Sequence, residues 1–240
     1  MEENAVIVSN ARIAKDVYEM VLESQIARIS APGQFVQVSV PGYFLRRPIS
    51  ICDAKDGKLT LIFKVVGDGT TVMSGLKSGD SVSLFGPLGT GFPVEDHDVL
   101  LVGGGVGTPP LVYTARAYRK AGHNVSVVLG FNSADDVFGL DKFIQEGITP
   151  VVCTMDGTAG IKGTVIDGIR QRGLDTSHVL ACGPIPMLKA VNNFNGYISL
   201  EARMACGFGA CMGCVVKDVE GNYLRVCKDG PVFKTGRIAL

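Results

Sequence analysis

The run Val99-Leu100-Leu101-Val102-Gly103-Gly104-Gly105-Val106-Gly107-Thr108-Pro109-Pro110 decides the architecture of this 240-residue chain. Four apolar residues without a polar alternate read as a strand buried on both faces, the mark of a parallel sheet. The glycines free the main chain to turn tightly and to come close to a pyrophosphate. A helix opening at Pro109 then offers unpaired N–H groups and the positive end of its dipole, and Pro109 or Pro110 suits a first turn where a missing N–H costs nothing. The pattern departs from G-x-G-x-x-G, because Thr108 stands where the third glycine belongs. A strand–helix turn without any ligand is the alternative reading of the same residues.

Downstream of this run, apolar strands alternate with helices. A helix over Pro109–Lys120 is followed by a strand Val125–Phe131, a helix Leu140–Gln145, a strand Pro150–Thr154 and a helix Thr164–Arg172. A strand His178–Ala181, a helix Ile185–Asn193 and a strand Tyr197–Leu200 complete the series. Alternation of this kind requires right-handed crossovers and predicts a doubly wound parallel sheet of five strands. Its crevice lies outside the carboxyl ends of the strands, where Cys182-Gly183-Pro184 falls. Cys182 reads equally as a residue facing that crevice and as a small buried hydrophobe. The turn after the second parallel strand, Phe131-Asn132-Ser133-Ala134-Asp135-Asp136, has two carboxylates and no base to neutralise a 2′-phosphate, which favours NAD over NADP.

Upstream the texture differs. Val6–Ser9, Tyr18–Glu23, Phe35–Val40, Pro48–Cys52, Lys58–Val66 and Ser81–Phe85 are short runs rich in Val, Ile and Phe, bounded by Pro-Gly, Asp-Gly and Gly-Asp pairs. Six such strands with one short helix near Thr71–Leu76 predict a small antiparallel barrel or sandwich. Within it, Leu45-Arg46-Arg47-Pro48-Ile49-Ser50 is a weak signal alone. Beside a nucleotide-binding sheet, an arginine there can fork onto a phosphate and a serine hydroxyl can reach a flavin edge.

The C-terminal stretch is distinct again, with four of the seven cysteines in 22 residues. Cys206-x4-Cys211-x2-Cys214, followed by Cys227, has the plant-type spacing for a [2Fe–2S] centre, and Gly207, Gly209 and Gly213 free the backbone to wrap it. Structural zinc is the alternative, although it usually takes two C-x2-C-like pairs. Cys52 and Cys153 sit inside apolar strands and read as core. His97, His123 and His178 fall at element boundaries, each reading as a surface histidine. No EF-hand, H-E-x-x-H or P-loop lysine pattern exists.

Composition sets limits on function. With 23 Lys+Arg against 23 Asp+Glu, the chain has no basic excess for a nucleic-acid partner. A hydrophobic fraction of 46 % excludes intrinsic disorder. Met1–Asn10 lacks a basic region before an apolar run, and the longest uncharged stretch, Val99–Ala115, is too short and too rich in glycine and proline to span a membrane. A soluble, cytoplasmic protein is therefore expected, with its cysteines as thiols or metal ligands.

Taken together, the Arg47–Ser50 strand, the Gly103–Leu111 loop, Cys182–Leu188, the cysteine triplet and the closing Cys227–Phe233 resemble the electron-transfer subunits of type B dihydroorotate dehydrogenase, within the wider ferredoxin–NADP reductase superfamily. The likeness runs in order along essentially the whole chain. It implies an FAD-binding barrel over residues 1–96, an NAD-binding α/β domain over 97–198 and a [2Fe–2S] segment over 199–240. By that likeness, Arg47, Pro48, Ile49 and Ser50 hold FAD, Ile62, Phe63 and Lys64 line it, and Gly69 and Thr70 meet its diphosphate. NAD lies along Gly103, Gly104, Gly105, Val106, Gly107 and Thr108, with Cys182, Gly183 and Pro184 near its reactive ring. Cys206, Cys211, Cys214 and Cys227 are the implied iron ligands.

Two departures concern the flavin: Ile49 replaces the tyrosine of the R-x-Y-S pattern, and the chain ends Arg237-Ile238-Ala239-Leu240 without a shielding aromatic. No side chain is assigned as catalytic, since hydride chemistry belongs to the cofactors. The resemblance further implies an FMN-containing dihydroorotate dehydrogenase catalytic subunit as partner, in a heterotetramer of two plus two chains serving pyrimidine synthesis. Electrons would run from FMN through [2Fe–2S] and FAD to NAD+. Two other functions fit the same residues at this point. One is the FAD/[2Fe–2S] subunit of an NADH-dependent ferredoxin:NADP+ oxidoreductase or of a sulfide dehydrogenase. The other is a non-enzymatic redox or metal sensor, against which the glycine loop and the Arg47–Ser50 strand count.

Overall fold

The computed structural model describes residues 1–240. Strands β1 (Glu2–Ala14), β2 (Val17–Glu23), β3 (Phe35–Val38), β4 (Arg47–Lys55), β5 (Lys58–Lys64) and β6 (Ser81–Leu88) close an antiparallel barrel in the order β1-β2-β5-β4-β3-β6. Alternation dictates its inside: Leu59, Leu61 and Phe63 of β5 point into the barrel core with Val36, Val38, Met20 and Leu22. Ile62, between them, faces outward into a second core. The β4–β5 hairpin turns on Asp56-Gly57, both with positive φ (51° and 72°), the left-handed pair that matches the twist of antiparallel strands. Helix α1 (Asp68–Gly75) crosses from β5 to β6.

The second layer system begins at β7 (Val99–Gly104) and continues through α2 (Pro109–Lys120), β8 (Val125–Phe131), α3 (Leu140–Gln145), β9 (Val151–Thr154), β10 (Ile161–Lys162), α4 (Val165–Arg172), β11 (Val179–Cys182), α5 (Ile185–Val191) and β12 (Gly196–Ser199). A hairpin of β13 (Val215–Lys217) and β14 (Tyr223–Arg225) precedes the last strand, β15 (Val232–Lys234). The sheet has seven strands in the order β10-β9-β8-β7-β11-β12-β15, all parallel except β15 against β12. Five strands are expected from the sequence. The two extra ones are edge strands of two and three residues, too short to leave a periodic trace. Strand order reverses between β7 and β11, which opens a crevice at their carboxyl ends.

Barrel and sheet share one apolar core, in which Val17, Cys52 and Ile62 pack with Val99, Leu111 and Tyr118. Polar contacts fix the orientation: Arg116 donates to Asp53 (2.7 Å) and to the Ala54 carbonyl (2.8 Å), and the Tyr113 hydroxyl donates to the Ser30 carbonyl (2.9 Å). The other face of the sheet buries α4, α5 and the C-terminal residues Cys214, Val226, Cys227 and Phe233 in a common core. No helix is long and apolar enough to cross a membrane.

Candidate functional site

Two clefts meet where the barrel faces the carboxyl ends of β7 and β11. The barrel cleft, about 850 Å³, is lined by Arg47, Pro48, Ile49, Ser50, Ile62, Phe63, Lys64, Thr70 and Val106, and by Leu200–Met204 from the chain beyond β12. The sheet cleft, about 490 Å³, is lined by Gly104–Gly107, Gly183, Pro184 and Met187, and by Asn132 and Asp136 after β8. Both volumes suit a cofactor-sized ligand. Lys64, Val106 and Glu201 line both clefts and mark their junction. A larger, open depression of about 1780 Å³ beside the β10 edge contains none of these residues.

In the barrel cleft the fit to a diphosphate is physical. The Arg47 guanidinium lies directly over Gly69, close enough that a Cβ there would displace it from this position. The same cation lies 5.0 Å from the Tyr43 ring centroid. Thr70 accepts from the backbone N–H groups of Val66 (2.9 Å) and Gly67 (3.2 Å), which shapes the turn into α1. The first N–H groups of α1 have no partner within the helix, and Arg47 lies against Gly69 in that first turn. An arginine and a helix N-terminus converging on one point suit a doubly charged phosphate group.

The glycine loop owes part of its composition to packing. A Cβ on Gly107 would collide with the main chain at Cys182 and Gly183, and one on Gly104 would come within 2.8 Å of Pro184 and Met187. The two loops at the switch point therefore touch backbone to backbone. Gly105 is different: its φ is +51° and nothing crowds it, so it supplies the open edge of the cleft. Gly103 and Thr108 are buried behind the loop and line neither cleft.

Cys182 corrects an expectation. Its thiol is 1 % exposed, lies in the core beneath the sheet and lines neither cleft, and burial pushes its pKa up. Only the residues after it, Gly183 and Pro184, reach the crevice. Of its two sequence readings, the buried hydrophobe describes the side chain; the last residue of a strand need not point along the strand axis.

Glu201 has no place in the sequence reading. Its side chain is exposed to solvent at the open junction of the clefts, and desolvation by the protein around it raises its pKa. A carboxylate two residues past the carboxyl end of a parallel strand is the signal that would have found it.

The cysteine segment packs against the barrel. Gly207 abuts Gln37, whose amide donates to the Ala205 carbonyl (3.4 Å), and Phe208 meets Phe85 edge-on at 6.0 Å. Cys206 and Cys211 lie toward the surface, whereas Cys214 and Cys227 are buried. Backbone N–H groups donate to the sulfurs: Cys211 to Cys206, Gly213 to Cys211 and Cys227 to Cys214, each at 3.4 Å. Burial opposes ionisation of Cys206, yet donors from Cys211, Phe208 and Ala210 overcome it and bring that thiol to about 6. Cys227 is pushed up to about 12 by burial and by its sulfur neighbours. N–H donors onto sulfur of this kind are those a sulfur-ligated cluster takes.

Of the three histidines, His97 is exposed as expected, whereas His178 departs from the surface reading. His178 is buried at 5 % exposure, and His97 packs against it with ring centroids 3.8 Å apart. The Val179–Leu100 pairing of β11 with β7 brings these two together across 81 residues, a proximity that no local pattern records.

Comparison with known proteins agrees with this geometry. Residues 201–239 match the iron–sulfur cluster binding domain of dihydroorotate dehydrogenase B. The electron transfer subunit of dihydroorotate dehydrogenase B (NAD(+)) from Fusobacterium nucleatum is 43 % identical, with 96 % of each chain covered. The chain belongs to this family of electron transfer subunits. The corresponding subunit from Bacillus cereus is 42 % identical over 100 % of this chain and 99 % of its own. Among solved structures, an NADH-dependent reduced ferredoxin-NADP oxidoreductase superposes with a TM-score of 0.90 at 33 % identity, covering 98 % of this chain and 89 % of that one. The fold is thus that of the ferredoxin reductases, with an iron–sulfur segment added at its C-terminus. FAD, NAD and [2Fe–2S] are the cofactors that this fold and this segment accommodate. Neither the ferredoxin-NADP oxidoreductase reading nor the sensor reading fits these comparisons better than an electron transfer subunit of this family.

Proposed function

We propose that this chain carries electrons between the FMN of a dihydroorotate-oxidising catalytic subunit and NAD+, in the cytoplasm, as part of a two-plus-two heterotetramer serving pyrimidine synthesis. One observation carries the reading: the two clefts share Lys64, Val106 and Glu201, and the cysteine loop begins two residues beyond the cleft-lining Met204. Two residues of chain reach at most about 7 Å. Three cofactor sites are therefore contiguous, and the last opens on the surface at Cys211, flanked by the exposed Phe208 and Met212.

When bound, NAD exchanges a two-electron hydride, the cluster exchanges single electrons, and FAD links the two. The chain's own residues bind and orient. Arg47, with the N–H groups at Gly69 and Thr70, holds the FAD diphosphate; Pro48, Ile49, Ser50, Ile62 and Phe63 form the wall against its ring. Gly104, Gly105, Val106 and Gly107 hold NAD, with Gly183 and Pro184 across the cleft. Asp136, with Lys64 at 4.0 Å, sits where an adenosine ribose is met and disfavours a 2′-phosphate there. Glu201 can keep a proton on its carboxyl at the junction, because burial disfavours its charge. Cys206, Cys211, Cys214 and Cys227 ligate the cluster. Dihydroorotate itself is oxidised on the partner.

The test is to purify the chain anaerobically with its accompanying subunit and follow NAD+ reduction on adding dihydroorotate. Dihydroorotate-dependent NADH formation is expected. Bleaching of the flavin by NADH with no response to dihydroorotate would overturn the partner and keep the reductase half.

A further inference from the structure

At the opposite end of the sheet from the clefts, the turn entering β7 places Glu95 and His97 beside His178, the residue before β11. We propose that Glu95, His97 and His178 form a binding site for a divalent first-row transition cation that takes imidazole and carboxylate ligands, Zn2+ being the ion whose geometry fits. Glu95 Oε2 lies 3.3 Å from His97 Nε2 and 3.2 Å from His178 Nε2, and one ligand atom from each residue falls within 4.8 Å of the others. A tetrahedral ion with ligands at about 2.0–2.1 Å holds neighbouring ligand atoms about 3.3 Å apart, the spacing of Glu95 Oε2 from each imidazole, and the two imidazoles lie within 4.8 Å of one another.

His178 supplies an independent observation. It is 5 % exposed, and neither ring nitrogen has a hydrogen-bond partner, because Nε2 approaches the Glu95 carboxylate without the angle a hydrogen bond needs. A buried imidazole with both nitrogens unpaired is rare and wants a partner. An ion between His178 and Glu95 would provide one.

The surroundings hold the carboxylate in place. The Tyr197 hydroxyl of β12 donates to Glu95 Oε1 (3.3 Å), leaving Oε2 turned to the histidines. The Glu95 N–H donates to the Tyr118 hydroxyl (3.3 Å), which itself donates to the Pro93 carbonyl (3.1 Å). Such outer contacts orient ligands in metal sites. Glu95 and His97 are both partly exposed, so a water can take the fourth position. The six-residue β7 separates this site from Gly104 by about 17 Å, outside the reach of the electron-transfer cofactors. The ion would pin the segment leaving the barrel to the first edge of β7, β11 and β12.

The test uses the complex loaded with FAD and its cluster. After dialysis against a mild chelator and then against Zn2+, followed by desalting, zinc and iron are counted by mass spectrometry. One zinc per chain is expected beside an unchanged iron content, together with a rise in melting temperature on adding Zn2+. His97→Ala and Glu95→Gln, both at partly exposed positions, should lose the zinc and the thermal shift while keeping flavin and iron. Zinc at background in the wild type, zinc retained equally by both variants, or zinc gained only as iron is lost would each overturn the proposal.

Discussion

The three cysteines of the barrel and sheet and the four of the C-terminal segment are the same residue put to opposite uses, and burial does not separate them. Cys214 and Cys227 are 4 % and 2 % exposed, as enclosed as Cys182 at 1 %. What differs is the backbone around the sulfur. Cys52, Cys153 and Cys182 lie within regular strands, whose N–H groups are committed to neighbouring strands, and burial pushes all three thiols up. In the C-terminal loop the chain is irregular, and its free N–H groups turn onto sulfur. Among the strand thiols only Cys153 receives a main-chain donor, from Gly168, whereas three of the C-terminal sulfurs each receive at least one.

The largest effect expected from this contrast is at Cys211. Cys211→Ser should abolish electron exchange with the partner subunit while NADH still reduces the bound flavin. Equal loss of both rates in a well-folded variant would erase the division between cluster and clefts.

A second experiment strikes the contrast from the sheet side. Gly107→Ala drives a methyl group into the main chain at Cys182, at a cost of about 1–3 kcal/mol. NADH reduction of the flavin should fall by about tenfold or more as the loop moves, measured by stopped flow, with the cluster spectrum unchanged. Retained NADH reduction would mean that the two loops are not locked together.

Cys182→Ala should do far less. Removing one buried sulfur costs about 1 kcal/mol, read from thermal melting, and NADH reduction should stay within about twofold. A tenfold fall would return this thiol to the cleft.

The smallest effect is at Glu201, whose charge also reaches Cys182. Its folded pKa lies above the ordinary 4.5, so the protonated form favours the fold. Stability is full below that value and declines as pH rises through the folded pKa, because the unfolded chain ionises more readily. Glu201→Gln should therefore melt higher than the wild type at pH 8 and by a lesser margin at pH 5, in flavin-free protein. A margin independent of pH would show that the carboxylate is not desolvated.

Much of this was legible along the chain. Helices α2 and α3 and strand β8 run over the residues their periodicity predicts, because each is long enough to repeat its pattern and is bounded by Pro, Gly or Asn. The Arg47–Ser50 strand and the loop from Gly104 to Gly107 line the clefts for equally local reasons. Strand β15 was invisible, since Val232–Lys234 becomes a strand only by pairing with β12. Glu201 and the Glu95–His97–His178 group were missed because each depends on a neighbour brought by the sheet.

The sequence by itself determined the run of short antiparallel strands, the alternating strands and helices, the cysteine spacing and, through these, the family; closure of the strands into a barrel came with the tertiary structure. Those features reside in periodicity, turn residues and fixed spacings, which are local along the chain. Only the tertiary structure decided that Cys182 is core, that Gly107 is needed by a neighbouring loop, that Lys64, Val106 and Glu201 join two clefts, and that three titratable side chains converge at the amino ends of β7 and β11. Each of these is a contact between segments distant in sequence, set by strand order and register, and a side chain carries no local mark of the partner that register will bring.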